Sequence, residues 1–202
     1  MTSLPSLPTI SGHASHPGSP LARALAVLFE PSPILDSKLE PQLVLLLKDR
    51  ALTSYHQLID IALEVITTWE TASQSEFIAG HPRIGESKNL SNLSASEQGL
   101  TTPGVIPTPP EVLAWLSHLN ACYETKYPGL RYITFVNGRN RRAIAEEMRD
   151  LLGFGHSLSA DEPALESVSP VEVSGPEWQA ELRRAIVDVG RIAKSRLTIL
   201  EG

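Results

Sequence analysis

Only one stretch of this chain reads as extended, and that decides the fold class. Leu130 to Val136 is short, rich in β-branched and aromatic residues, and ends at the turn Asn137-Gly138. The other periodic segments carry the helical period. A lone strand has nothing to pair with, so no sheet can be built around it. The expectation is an all-α, single-domain helical bundle of about seven helices with one short extended segment.

The helices follow from apolar spacing and from proline. Residues 1–20 are rich in Ser, Pro, Gly and Thr and read as a flexible arm, or one loosely draped on the domain formed by 21–202. Leu21, Leu25 and Leu28 make the first stripe, which Pro31 and Pro33 end. Leu39 to Lys48 is a second candidate, with Pro41 in its first turn. Tyr55, Leu58, Ile59, Ala62, Leu63 and Ile66 mark the third. A short piece, Ser75 to Ala79, runs into Gly80 and a His-Pro turn. Pro110 starts a helix reaching about Tyr127, with Val112, Leu116, Leu119 and Tyr123 on its buried side, and Pro128-Gly129 stops it. Arg139 to Leu152 and Pro176 to about Leu200 complete the set. The insertions 101–110 and 153–175 read as surface loops.

Composition narrows the function classes. The 202 residues suffice for one domain with a real core, and an aromatic content of 5% makes that core mostly aliphatic. A formal charge of -6 argues against nucleic acid as a partner, because phosphate binding needs a basic face. The single cysteine, Cys122, rules out an internal disulfide and reads as a small core residue. Leu43 to Leu47 is the longest aliphatic run and is far too short to span a bilayer. No two histidines stand at helical metal-ligand spacing, and the glycine-rich phosphate loop and Gly-x-Ser-x-Gly are absent. No metal site is therefore expected.

The chemistry candidates are few. His81 stands between Gly80 and Pro82, where proline drives the preceding residue out of the helical region and fixes the imidazole's place. It is either a proton carrier or part of a helix terminator. Ser94-x-x-Glu97-Gln98 supplies a hydroxyl, a carboxylate and an amide within one turn; Ser-x-x-Glu is equally the capping box that opens a helix. On the last helix Trp178, Leu182, Ala185, Ile186, Val189, Ile192, Ala193 and Leu200 trace the buried face. Arg196 falls within it, about 40° from Leu182. A guanidinium aimed at a core meets a buried carboxylate, lines an anion pocket, or snorkels at the helix end. Arg139, Arg141 and Arg142 oppose the dipole of the helix they begin, which calls for a compensating anion. Arg141 and Arg142 read as a surface cluster.

In order along the chain, Leu28-Phe29-Glu30, His81-Pro82-Arg83-Ile84-Gly85, Ser94-x-x-Glu97-Gln98, Leu119-Asn120-x-x-Tyr123, Leu130 to Arg139 and Ile192 to Leu197 resemble one family. It is that of the 2-oxo-4-hydroxy-4-carboxy-5-ureidoimidazoline (OHCU) decarboxylases. The likeness runs from about Leu21 to Leu197, with Arg131 standing where a proline is usual. The resemblance implies an all-helical, cofactor-independent carboxy-lyase of urate breakdown that releases CO₂ and leaves S-allantoin. It implies that His81, Glu97 and Arg196 are catalytic, His81 as acid/base. It further implies that Pro82, Ser94, Gln98, Arg139 and the segment Tyr132, Ile133, Thr134, Phe135 and Val136 bind substrate, the segment through its backbone.

The expected partner is thus a small ureidoimidazoline, with no nucleic acid and no membrane, and a homodimer as one assembly open to the chain. Two other readings remain. One is a non-catalytic helical binding protein that retains the decarboxylase fold, motivated by Arg131 and the long loops. The other is an adaptor that offers the proline-rich loop Pro103–Pro110 to a partner. The ending Leu200-Glu201-Gly202 lacks the Ser-Lys-Leu type of peroxisomal address, so a cytoplasmic location is expected.

Overall fold

The computed structural model describes residues 3–10, 16, 18–86, 90–97, 108–155 and 162–201, with backbone alone at 92, 97 and 201. Among the described residues every regular element is helical, and the all-α expectation holds. The helices are α1 (Leu7–Ile10), α2 (Pro20–Phe29), α3 (Glu40–Leu47), α4 (Tyr55–Thr67), α5 (Thr71–Ala79), α6 (Asn92–Glu97), α7 (Pro110–Lys126), α8 (Arg141–Leu152) and α9 (Pro176–Glu201). A π-helical turn, Leu35–Leu39, leads into α3, and a 3-10 turn covers Leu165–Ser167. The count exceeds the seven expected because short helices escape periodicity: four residues in α1 and six in α6 show too little pattern to read. No helix is long and apolar enough to cross a membrane among these residues.

Contacts gather the chain into two compact units, Met1–His81 with Arg183–Gly202, and Pro82–Leu182. In the first unit, α2 starts as its sequence dictates. The Ser19 hydroxyl accepts from the Ala22 N–H while Pro20 takes the first helical position. The same hydroxyl donates to the buried Glu40 carboxylate at 2.5 Å. α4 is opened by Ser54, whose side chain accepts from the Gln57 N–H, and the Gln57 side chain accepts in return from the Thr53 N–H. The face of α4 is wider than its stripe foretold, since Ile61 and Val65 are buried too. The arm is partly tied down: Ile10 is buried, and the Tyr55 hydroxyl donates to the Pro5 carbonyl.

Burial of the Tyr55 phenol carries a pH dependence. Burial pushes the Tyr55 hydroxyl from 10.0 up to about 12. A folded-state pKa above the unfolded one means that its stabilisation is complete below pH 10 and is lost as pH rises through about 12. Melting curves across this alkaline window should show the wild type losing stability faster than Tyr55→Phe, which has no phenol to ionise. Parallel losses in the two proteins would refute the assignment.

In the second unit α7 and α8 pack together; Val112, Leu116, Leu119 and Tyr123 are buried on α7, and Ile144, Ala145 and Met148 on α8. The first seven residues of α9 join them: the Trp178 indole donates to the Pro128 carbonyl at 2.9 Å, and the Tyr123 hydroxyl to Glu181 at 2.6 Å. α8 begins two residues later than expected. Asn140 is its cap, accepting from the Ala143 N–H, so Arg139 lies before the helix. The surface reading of the arginine cluster is corrected for Arg141, which is buried, and holds for Arg142, which is exposed. Much of the loop 101–110 and part of 153–175, like residues 11–15 of the arm, lie outside the described residues.

Candidate functional site

α5 ends at Ala79 because Pro82 has no N–H and forces His81 out of the helix. The His81 N–H reaches back to the Ile78 carbonyl at 3.0 Å. Its ring is 3% exposed and meets the Phe77 ring edge-on, centroids 5.7 Å apart. Phe77 in turn contacts Phe29 at 5.8 Å and Trp69 at 6.4 Å. Gly80 makes this possible, since a Cβ there would stand 2.8 Å from the Ser32 Cβ. The imidazole is therefore fixed in an aromatic wall, not carried on a mobile loop. Aliphatic residues dominate the core, as composition predicts, and Phe29, Trp69 and Phe77 form one aromatic cluster here.

Arg196 is buried in the first unit at 1% exposure. Its Nη2 meets the Glu30 carboxylate at 2.5 Å, and its Nη1 donates to the carbonyls of Val27 at 3.0 Å and Leu28 at 3.2 Å. Of the three readings the helix position allowed, the buried carboxylate is present and snorkelling is not. Glu30 closes α2 with its backbone at φ 66°, ψ 140°. Arg196 thus supplies a cation and two donors where α2 exposes its last carbonyls.

In the second unit, the turn after Pro82 is braced by charge. The Arg83 guanidinium grips Glu124 with Nε at 2.5 Å and Nη2 at 2.9 Å, and its backbone N–H donates to Glu86 at 3.2 Å. Glu124, then Glu86, hold the Arg83 pKa above its ordinary value. The Asn120 side chain donates to the Ile84 carbonyl at 3.0 Å, tying the turn to α7. Gly85 adopts φ 88°, and a Cβ there would press on Leu116 at 3.2 Å. Arg131 is half-buried, and its pKa is lowered by desolvation first and by Arg83 second, against the opposing pull of Glu124 and Glu86. A cleft of about 400 Å³ opens between this turn and α7, lined in part by Arg83, Glu86, Ser117, Asn120 and Glu124. It contains none of the substrate contacts that the resemblance implied.

Ser94 corrects the capping-box reading. Ser91 is the cap: its hydroxyl accepts from the Ser94 N–H at 3.0 Å, and its carbonyl from the Ala95 N–H at 2.9 Å. Ser94 sits inside the first turn of α6, buried at 3% exposure. The motif misleads because Ser91 stands three residues before Ser94 and either serine could open the helix. The Glu97 backbone closes α6, its side chain is not among the described groups, and Gln98 lies outside the described residues.

The extended segment behaves as expected, without a strand partner among the described residues. Its alternation sends Tyr132 and Thr134 to one face, where both hydroxyls donate to Glu147 Oε1 at 2.8 Å. The Tyr132 ring also meets the Tyr123 ring at 5.4 Å. Arg139 folds back, pairing with Glu147 and donating to the carbonyls of Phe135 at 2.5 Å and Val136 at 3.0 Å. Glu147 is thus an anion for Arg139. Neither Glu147 nor Glu30 announces its role in the sequence. Glu147 is one of two adjacent glutamates on α8, and only the tertiary fold decides which one the segment reaches.

A family model described as OHCU decarboxylase matches residues 15–157. That span contains His81, Ser94, Glu97, Gln98, Tyr132 to Val136 and Arg139; Arg196 lies beyond it. Among curated proteins, none matches the chain.

Proposed function

Because this chain belongs to the OHCU decarboxylase family, we propose that His81 delivers the proton that completes its reaction. The reaction is the decarboxylation of a small ureidoimidazoline, OHCU, to S-allantoin in urate breakdown. The bond from the ring carbon to the carboxylate breaks, CO₂ departs, and the electron pair moves into the adjacent C=N unit of the substrate. The substrate is its own electron sink. What remains for the protein is to orient the carboxylate, offset the developing anion, and protonate one face of the former C=N carbon, while the hydroxyl-bearing carbon that lost CO₂ becomes a carbonyl. A histidine side chain is suited to that protonation near neutral pH.

The observation that carries this reading is the fixed, buried His81 ring against Phe77. A proton donor that selects one face must itself be held to one position, and here the His-Pro break, the helix end and an aromatic neighbour all hold it. The proposal gives Glu97 and Arg196 the other catalytic roles, with Arg196 holding an anionic or carbonyl oxygen. Pro82, Ser94, Gln98 and Arg139 bind substrate together with the backbone of Tyr132 to Val136.

The test generates OHCU in situ from urate and follows circular dichroism as S-allantoin forms. The purified protein should accelerate formation of the optically active product over spontaneous decay. A racemic product at the spontaneous rate would sink the proposal.

A further inference from the structure

We propose that Glu147 is the positioning residue that sets the backbone of Tyr132 to Val136 for substrate; this rests on the assignment of that backbone as a substrate contact. With no neighbouring strand among the described residues, this extended segment has no ladder there to define its shape. Something else must fix its φ and ψ angles, or each peptide group would lose the direction that ring recognition needs. A single carboxylate on α8 supplies three anchors. Glu147 Oε1 accepts from the hydroxyls of Tyr132 and Thr134, both at 2.8 Å. Its other oxygen, Oε2, pairs with Arg139.

Arg139 spreads the restraint further. It donates to the Thr134 hydroxyl at 3.0 Å, the Phe135 carbonyl at 2.5 Å and the Val136 carbonyl at 3.0 Å. From Tyr132 to Val136, then, four of five residues are tied directly or through Arg139 to one side chain. The fifth, Ile133, points to the opposite face by the alternation of extended chain and is buried there. Glu147 and Arg139 are themselves part-exposed, with side-chain exposures of 39% and 37%. Their pairing therefore adds little to global stability, yet it governs the local conformation of the segment.

The role is separable from a merely structural one by two measurements. Hydrogen–deuterium exchange of the amides in 130–139 reports the segment's order, and the split between KM and kcat reports its use. Glu147→Ala should speed exchange in that segment alone. It should raise KM about tenfold, the factor that one charge-assisted hydrogen bond is worth, while kcat stays within about threefold. Glu147→Gln keeps an amide oxygen for Tyr132 and Thr134 and should recover most of the KM loss. Unchanged exchange in Glu147→Ala overturns the positioning role. Faster exchange with an unchanged KM in an active protein also overturns it, because the ordered segment would then not serve substrate. Failure of the functional reading itself appears earlier and separately, as a wild type that gives no S-allantoin.

Discussion

Arg196→Ala is expected to cost about 3–5 kcal/mol of folding stability, the range seen when one partner of a buried ion pair is removed. The size follows from what is left behind. Glu30 would be a carboxylate at 5% exposure with its cation gone, and the carbonyls of Val27 and Leu28 would lose a donor. Denaturant melts measure the effect, and a loss below about 1 kcal/mol would show that the pair does not brace the fold. The double substitution Glu30→Leu with Arg196→Met separates stability from chemistry. It removes both charges and should regain most of the loss, leaving about 1–3 kcal/mol for the two carbonyls. Turnover should not return with it, since an aliphatic side chain cannot hold an anionic substrate group. Recovered turnover would leave Arg196 a purely structural role.

His81→Ala should slow S-allantoin formation by roughly 10²- to 10⁴-fold, the usual contribution of a positioned acid or base. Alanine alone is an ambiguous test here. The ring lies against Phe77 in the interior, so its removal also opens a cavity. His81→Gln is the better partner, as it fills part of the space and hydrogen-bonds but has no titratable proton to transfer at neutral pH. Both variants should lose the rate, with Gln melting closer to wild type. Full rate in either would remove His81 from the mechanism.

The elements legible in the sequence are those whose cause is local. α9 is the clearest case: its apolar period alone puts Arg196 on the buried face, and the residue is buried. The His-Pro break is another, because proline acts on its immediate neighbour whatever the rest of the chain does. Ser94 misleads for a local reason too, since two serines one turn apart offer the same capping chemistry and the sequence does not rank them. Glu30 and Glu147 are illegible for a different cause. Each owes its role to a partner brought by tertiary packing: Arg196 lies 166 residues from Glu30, and the Tyr132 hydroxyl 15 residues from Glu147. No period or motif encodes such a meeting.

Glu30 illustrates how two demands at one position can disagree. Its backbone at φ 66°, ψ 140° lies outside the left-handed helical region and is in practice open to glycine alone, so any side chain there costs about 1–3 kcal/mol. Its partner requires a carboxylate on a side chain of this reach. Glycine would satisfy the turn and abandon Arg196; asparagine would bring a shorter, uncharged amide to a cation that has no solvent to turn to. No residue meets both demands without cost, so the strained glutamate is the best compromise open to the position. Its worth lies not in the turn it makes but in the charge it delivers from an uncomfortable one.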